Sequence, residues 1–339
     1  FKLFLKSFIS RPEIIICSHI NFAPPVYLLK RFFRKDYLLL TYGIEAWEAK
    51  GIIKTRLFKA ANLIITISNY TKAKIVEQIP KLKEKIFLLN NPVDGQEFFI
   101  KSKPKELVAR YNLQGFQVIL TVARLAVQER YKGCDKVLRA LPRVIEVIPR
   151  IKYFLIGKGD DSDRVQQLIK KLDLENYVVI LNYVEAGELV NYYNLCDVFV
   201  MPSTKEGFGF VFIEALASGK PVIASDQGGS RDAVLDGELG ILVDADNIQE
   251  ISDSIIKILK QQAPLNLLNK KFLRKRVLEH YGYDSFKLGV KRLLDIAFSL
   301  EKDFGKVAAS GPYKPEDFLM PVSLPASLRI HNRWQAANY

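Results

Sequence analysis

The sequence predicts an α/β protein of two doubly wound domains, each a parallel sheet covered by helices on both faces. Three observations carry this. Short apolar runs rich in Val, Ile and Leu alternate with longer amphipathic stretches, the alternation that successive βα units produce. The runs are nearly continuous in apolar residues, as strands buried on both faces are. The 339 residues, 49% of them hydrophobic, suffice for two domains of roughly 100–200 residues with a core each.

In chain order, strands are predicted at 13–17, 37–41, 63–67 and 86–89. The turn Asn90-Asn91-Pro92 and the charged stretch Lys101-Ser102-Lys103-Pro104-Lys105 then break the pattern, as a domain boundary does. Residues 1–100 form the first domain. Strands at 118–122, 152–156, 178–181, 198–201, 222–224 and 240–243 follow, with helices at 136–147, 163–172, 186–194, 210–218 and 248–261. They make a second domain over 101–290. A helix at 284–300 could return to the first domain. Residues 291–339 are its end and an irregular tail, with Pro312, Pro315, Pro321 and Pro325 and no helical period.

Composition narrows the function. Cys17, Cys134 and Cys196 stand apart, without a CxxC pair, and His19, His280 and His331 are scattered. That argues for a reducing compartment and against a metal site. No apolar run approaches the roughly 20 residues of a spanning helix. Residues 1–9 hold Lys2 and Lys6 inside their apolar stretch, unlike a signal peptide. The expected location is cytoplasmic, peripheral on the inner membrane face if the basic surface binds lipid.

The net charge is +13. A lysine-rich solvated surface accounts for it, and so does attraction to lipid head groups, a nucleotide sugar or nucleic acid. Basic residues cluster at Lys30, Arg31, Arg34 and Lys35, and at Lys270, Lys271, Arg274, Lys275 and Arg276; Phe32 and Phe33 interleave with the first cluster. That pattern suits an anionic membrane surface. No nucleic-acid motif accompanies the charge, so no nucleic-acid partner is expected.

In open parallel sheets, ligands bind beyond the carboxyl ends of the strands. Four loops of the second domain lie there. The first carries Arg124 and Lys132, which can hold a diphosphate or be two surface cations. The second, Gly157-Lys158-Gly159-Asp160-Asp161, offers backbone N–H groups at a helix start, although any tight turn wants glycine. The third runs Glu206-Gly207-Phe208-Gly209 into a helix bearing Glu214. Its helix start favours an anion, while the carboxylates suit sugar or ribose hydroxyls. Glu206 alone also fits a helix-start carboxylate. Glu214 lies among Phe212, Ile213, Ala215 and Leu216, and a buried carboxylate needs a partner. The fourth loop, Ser225-Asp226-Gln227-Gly228-Gly229-Ser230, forms a further wall.

Residues 118–245 resemble, in order, the GT-B-fold retaining glycosyltransferases of glycosyltransferase family 4 (glycosyl transferases group 1). The matching segments are TVARL, YKG, FLIGKGD, CDVFVMPS, EGFGFVFIEALASGKPVIAS, GG and DGELGILVDADN. The likeness in the first domain is partial: SHINFAPP, TYGIEAWE, TISNYTKAKI and NNPVDGQEFF.

The resemblance implies two Rossmann-like domains facing a cleft, the first incomplete. Arg124 and Lys132 would bind the donor's diphosphate and stabilise it as it leaves. Glu206 would contact the transferred sugar and Glu214 the ribose. Gly207, Phe208, Gly209, Gly157 and Val184 would complete the donor site. The donor would be a nucleotide-diphosphate sugar, with no cofactor and no metal, and the acceptor a glycan or lipid-linked hydroxyl. Anomeric configuration would be retained, in polysaccharide or envelope synthesis.

Two departures stand out. The chain opens at what resembles the family's mid-domain strand, and Tyr42 stands where many members have histidine. A sugar-nucleotide epimerase, or a catalytically impaired nucleotide-binding remnant, is the alternative.

Overall fold

The structure, a computed structural model, describes residues 12, 14–48 and 51–303. The readings made for residues 1–9 and for the proline-bearing tail fall outside the described residues. Strands β1 (Ile14–Cys17), β2 (Asp36–Thr41), β3 (Leu63–Thr66) and β4 (Ile86–Leu88) pair in that order, all parallel. Helices α1 (Ala23–Phe33), α2 (Ile52–Ala60) and α3 (Asn69–Gln78) connect them. The predicted strand at 63–67 ends at Thr66 because the chain turns into a helix cap. Ser68 Oγ accepts from the Thr71 N–H at 3.1 Å, satisfying one free donor of the first turn of α3.

The second sheet contains β5 (Gln117–Val122), β6 (Ile151–Ile156), β7 (Val178–Leu181), β8 (Val198–Met201), β9 (Val222–Ser225) and β10 (Ile241–Val243). The crossovers run through α4 (Cys134–Val147), α5 (Ser162–Lys171), α6 (Ala186–Leu195) and α7 (Phe210–Ala217), and α8 (Ile248–Leu259) follows β10. All its pairs are parallel, in the order β10-β9-β8-β5-β6-β7. The chain thus builds outward from β5 through β6 and β7, then returns to β5's other side with β8. That reversal opens a crevice between the carboxyl ends of β5 and β8.

Each sheet has its own core. Tyr37, Leu39, Phe58, Ile64 and Ile75 are buried around the first, where the Tyr37 hydroxyl donates to the Leu57 carbonyl at 2.6 Å. Around the second, Phe199 packs against Tyr193 and Phe212, and Phe154 against Tyr111. Burying one such side chain contributes about 1.5–3 kcal/mol, so the strands stay sandwiched between helices.

The last two helices are α9 (Lys270–Tyr281) and α10 (Tyr283–Asp303); the end of α9 meets the segment joining the sheets, where the Val93 N–H donates to the Tyr281 carbonyl at 2.7 Å. A side chain on Gly289, in the first part of α10, would meet Leu89 of that segment. Arg274 of α9 donates to the carbonyls of Gly95, Phe98 and Ala217 at 2.6–2.7 Å. Arg276 pairs with Glu238 and Glu279, and Lys275 with Glu279. Within the second basic cluster, Arg274 and Arg276 are thus committed inside the fold, while Lys270, Lys271 and Lys275 are exposed.

The loop after β5 is anchored by a residue the sequence did not single out. Asp161 is 4% exposed. It accepts from Arg130 Nε and Nη2 at 2.9 and 2.6 Å, and from Arg164 Nε and Nη2 at 2.9 and 2.6 Å. The Arg164 hydrogen bonds, outweighing the opposing effect of burial and aided by Arg130, hold its carboxyl below the usual carboxylate range. Such a carboxyl binds its proton later in the folded state than in the unfolded one. Its stabilisation is thus complete above the unfolded value and fades as pH falls through the folded one. Asp161→Asn is expected to destabilise the fold by roughly 1–3 kcal/mol at pH 7, since both arginines are partly solvated. In denaturant titrations across pH, the gap between wild type and variant should stay constant near neutrality and shrink below about pH 4. A gap that grows on acidification would contradict the pairing.

Candidate active site

The crevice between β5 and β8 gathers three of the predicted residues. β5 ends at Val122, and Arg124 and Lys132 lie on the loop beyond it; β8 ends at Met201, and Glu206 lies on the loop that follows. The Thr204 N–H donates to the Tyr131 carbonyl at 2.9 Å, joining the two loops. Gly133, with φ of 76°, lets the first loop turn against Pro202, where a Cβ would overlap the Pro202 carbonyl. Lys132 Nζ and Glu206 Oε2 meet there as an ion pair, with side chains 17% and 13% exposed. Burial alone would lower the Lys132 ammonium, but the Glu206 charge and hydrogen bond outweigh it, so the net shift is upward. Lys132 therefore stays charged across the physiological range.

Arg124 is also paired, with a residue the sequence reading missed. Glu129 receives Arg124 Nε at 3.2 Å on Oε2 and Nη2 on Oε1. Both cations of the site thus have a carboxylate beside them. The signal was an acidic residue between two cations of one loop. Only the short 3₁₀ turns of Val127–Lys132 bring it back onto Arg124.

Helix α7 starts at Gly209, φ 89°, and no side-chain hydrogen bond caps it. Its first N–H groups and dipole form the electropositive end expected here. Gly207 lies against the Tyr42 carbonyl and Gly229 against the Gly207 carbonyl, with no room for a Cβ at either position. The Gly229 N–H donates to the Glu206 carbonyl at 2.7 Å. The Gly228-Gly229 loop therefore backs the Glu206 loop. Tyr42, at the end of β2, brings the first sheet to the same edge. Phe208 is buried, edge-on to Tyr281, so only its backbone can face a ligand.

Glu214, on α7, is 2% exposed, and the Tyr193 hydroxyl of α6 donates to its Oε2 at 2.9 Å. Tyr193 is the partner that a buried carboxylate demanded, and the sequence reading had not named it.

Gly157 departs from its expected role. Its N–H donates to the Leu181 carbonyl at the end of β7 at 2.8 Å, so it is not one of the free N–H groups that loop offers. A Cβ there would overlap the Ala123 carbonyl; glycine at 157 lets the loop bearing Arg124 pass close by. Val184 is half-buried in the loop after β7, at the sheet's edge. Among the described residues, no group of three or more His, Cys, Asp or Glu side chains stands together as metal ligands do. Nor is any described helix long and apolar enough to cross a membrane.

Comparison with known proteins extends this geometry. The chain is 28% identical over 287 residues to an uncharacterised glycosyltransferase of Methanocaldococcus jannaschii, covering 80% of this chain and 72% of that one. It is 27% identical over 240 residues to a GDP-mannose-dependent alpha-(1-6)-phosphatidylinositol monomannoside mannosyltransferase of Mycolicibacterium smegmatis. That match covers 67% of this chain and 62% of the relative, so the chain spans less than two thirds of the mannosyltransferase. Among solved structures, Anabaena HepE in complex with UDP superposes with a TM-score of 0.76 at 20% identity, over 87% of this chain and 81% of that one. Sucrose-phosphate synthase of Thermosynechococcus elongatus gives 0.74 at 22% identity, over 88% and 78%. At these identities the likeness is one of fold. Residues 105–274, which include the whole six-stranded sheet, match the family described as glycosyl transferases group 1. The chain belongs to that family and has the GT-B fold.

Proposed function

We propose that this chain transfers a sugar from a nucleotide-diphosphate sugar to a hydroxyl of a glycan or lipid-linked acceptor. Anomeric configuration is retained and no metal takes part. The observation that carries the reading is the convergence of Arg124, Lys132 and Glu206 at the β5/β8 crevice, beside the uncapped start of α7. Residues 101–290 serve as the donor side and residues 1–100 as the acceptor side. HepE is described in complex with UDP and the mycobacterial relative as GDP-mannose-dependent, which supports a nucleotide sugar as donor.

In the reaction, the bond from the sugar's C1 to the diphosphate oxygen breaks. The acceptor oxygen forms its bond to C1 on the same face. Its proton passes to the departing diphosphate, so no protein base is required. Arg124, Lys132 and the N–H groups opening α7 meet the charge growing on that diphosphate, in place before the reaction starts. Lys132 uses one of its three N–H donors on Glu206 Oε2, which leaves donors for a phosphate oxygen and Oε1 for a sugar hydroxyl. Glu214, fixed by Tyr193, receives the ribose.

A membrane-facing role fits helix α1. Its Phe32 is 70% exposed, Leu28 and Phe33 are exposed beside it, and Arg31 and Arg34 lie in the same stretch. Lys30 is committed to Asp36 and Asn62. Apolar side chains edged by arginine suit an anionic lipid surface.

Calorimetric titration of UDP, GDP and ADP is expected to show one of them binding. Arg124→Ala should weaken that binding at least tenfold, about 1.4 kcal/mol, and Glu214→Ala should weaken it without unfolding the chain. Binding that is equal in both variants would refute the site. The protein should also co-sediment with phosphatidylcholine vesicles containing phosphatidylglycerol, and less so in high salt or as Arg31→Glu/Arg34→Glu. Failure to bind the anionic vesicles would remove the membrane role.

A further inference from the structure

Glu129 has no place in the roles assigned above, yet it is one of the most constrained charges in the crevice. Its side chain is 11% exposed against 44% for its partner Arg124. Its own N–H donates to the Ala126 carbonyl at 2.8 Å. The turn that carries it is pinned at Val127, whose N–H donates to Asp160 at 2.8 Å, and at Arg130, which Asp161 holds. The backbone that carries Glu129 is therefore held in place beside Arg124. It grips Arg124 side-on, through Nε and Nη2, and so occupies two of the five guanidinium N–H donors. The other three remain directed by that grip. Its charge also reaches Lys132 and Tyr131. With Arg124 and Lys132 set against Glu129 and Glu206, the four formal charges of the crevice cancel.

We infer that Glu129 is a fixed counter-charge that orients Arg124 and holds down the site's affinity for a nucleoside diphosphate, favouring its release over that of the donor. This rests on the reading of Arg124 as a diphosphate ligand. The reason is electrostatic. A free diphosphate has one more ionisable oxygen than its sugar ester, and a carboxylate repels the more highly charged product more strongly. Two unopposed cations would hold the product tightly. A site balanced by Glu129 still offers directed donors, yet binds the product less strongly. Glu129 acts here as a positioning and specificity residue, touching Arg124 rather than the reacting atoms.

The test compares wild type, Glu129→Gln and Arg124→Ala by calorimetric titration with UDP, GDP and ADP at fixed ionic strength. Glutamine keeps the length and an acceptor oxygen for Arg124 but removes the charge. The Gln variant should bind the preferred nucleotide roughly three- to thirty-fold more tightly than wild type. Glu129→Asn, also neutral, should move in the same direction and serves if the Gln variant does not fold. A purely structural role would instead loosen Arg124 and weaken binding. Unchanged or weaker binding in the neutral variants, with wild type binding and Arg124→Ala impaired, overturns the role of Glu129 alone. No nucleotide binding to wild type, or an undiminished Arg124→Ala, overturns the donor-site reading and this inference with it.

Discussion

A Cβ on Gly157 would overlap the carbonyl of Ala123, and one on Gly207 would overlap the carbonyl of Tyr42. The carboxyl edge of the second sheet is thus assembled by backbone lying on backbone, and the rest of the crevice depends on that contact. Parallel strands deliver their ends to one edge, but loops with side chains between them would hold those ends apart. At 157 the contact lets the Arg124 loop lie flat on its neighbour. At 207 it brings the Glu206 loop against the end of β2, in the other sheet. The convergence of Arg124, Lys132 and Glu206 is a consequence of where no side chain stands.

That closeness also decides the electrostatics. Cations drawn together in a partly dry crevice repel each other, and burial raises the cost of leaving them unpaired. The fold answers with a carboxylate for each, Glu129 for Arg124 and Glu206 for Lys132. The surplus of positive charge in the sequence is therefore not stored in the crevice. Part of it is exposed at Arg31 of α1 and at Arg34 just beyond it. In α9 it holds backbone carbonyls and glutamates instead.

What the sequence made legible follows the same physics. The ten strands among the described residues were readable because strands buried between helices need nearly unbroken apolar runs. Arg124, Lys132 and Glu206 were readable because strand ends are where open sheets leave space. Partners were harder to read. Tyr193 and Glu214 are 21 residues apart on different helices, and no local pattern marks one as the other's donor. The hydrogen bond of the Gly157 N–H could not be read, because it depends on β7 lying beside β6, which is strand order and not spacing. Asp161 was visible only as part of a turn, since its two arginines come from different elements.

The two sheets are tied at this edge by more than the linker. Asp232, in the short helix Ser230–Ala233, accepts from the backbone N–H groups of Asn69 and Tyr70 and from Asn69 Nδ2, at 2.8–3.1 Å. A carboxylate of the second sheet thus occupies the electropositive start of α3 in the first, where the dipole favours it. Its own carbonyl accepts the hydroxyl of Tyr281, the residue that also packs edge-on against Phe208. The helix start on the first sheet, the Asp232 segment and the ring beneath the Phe208 loop thus form one connected path. A shift of the first sheet against the second must break the Asp232 hydrogen bonds or carry the Phe208 loop with it. Placement of the first sheet and the shape of the crevice at the edge of the second are therefore coupled through named contacts, without requiring any part of the crevice itself to move first.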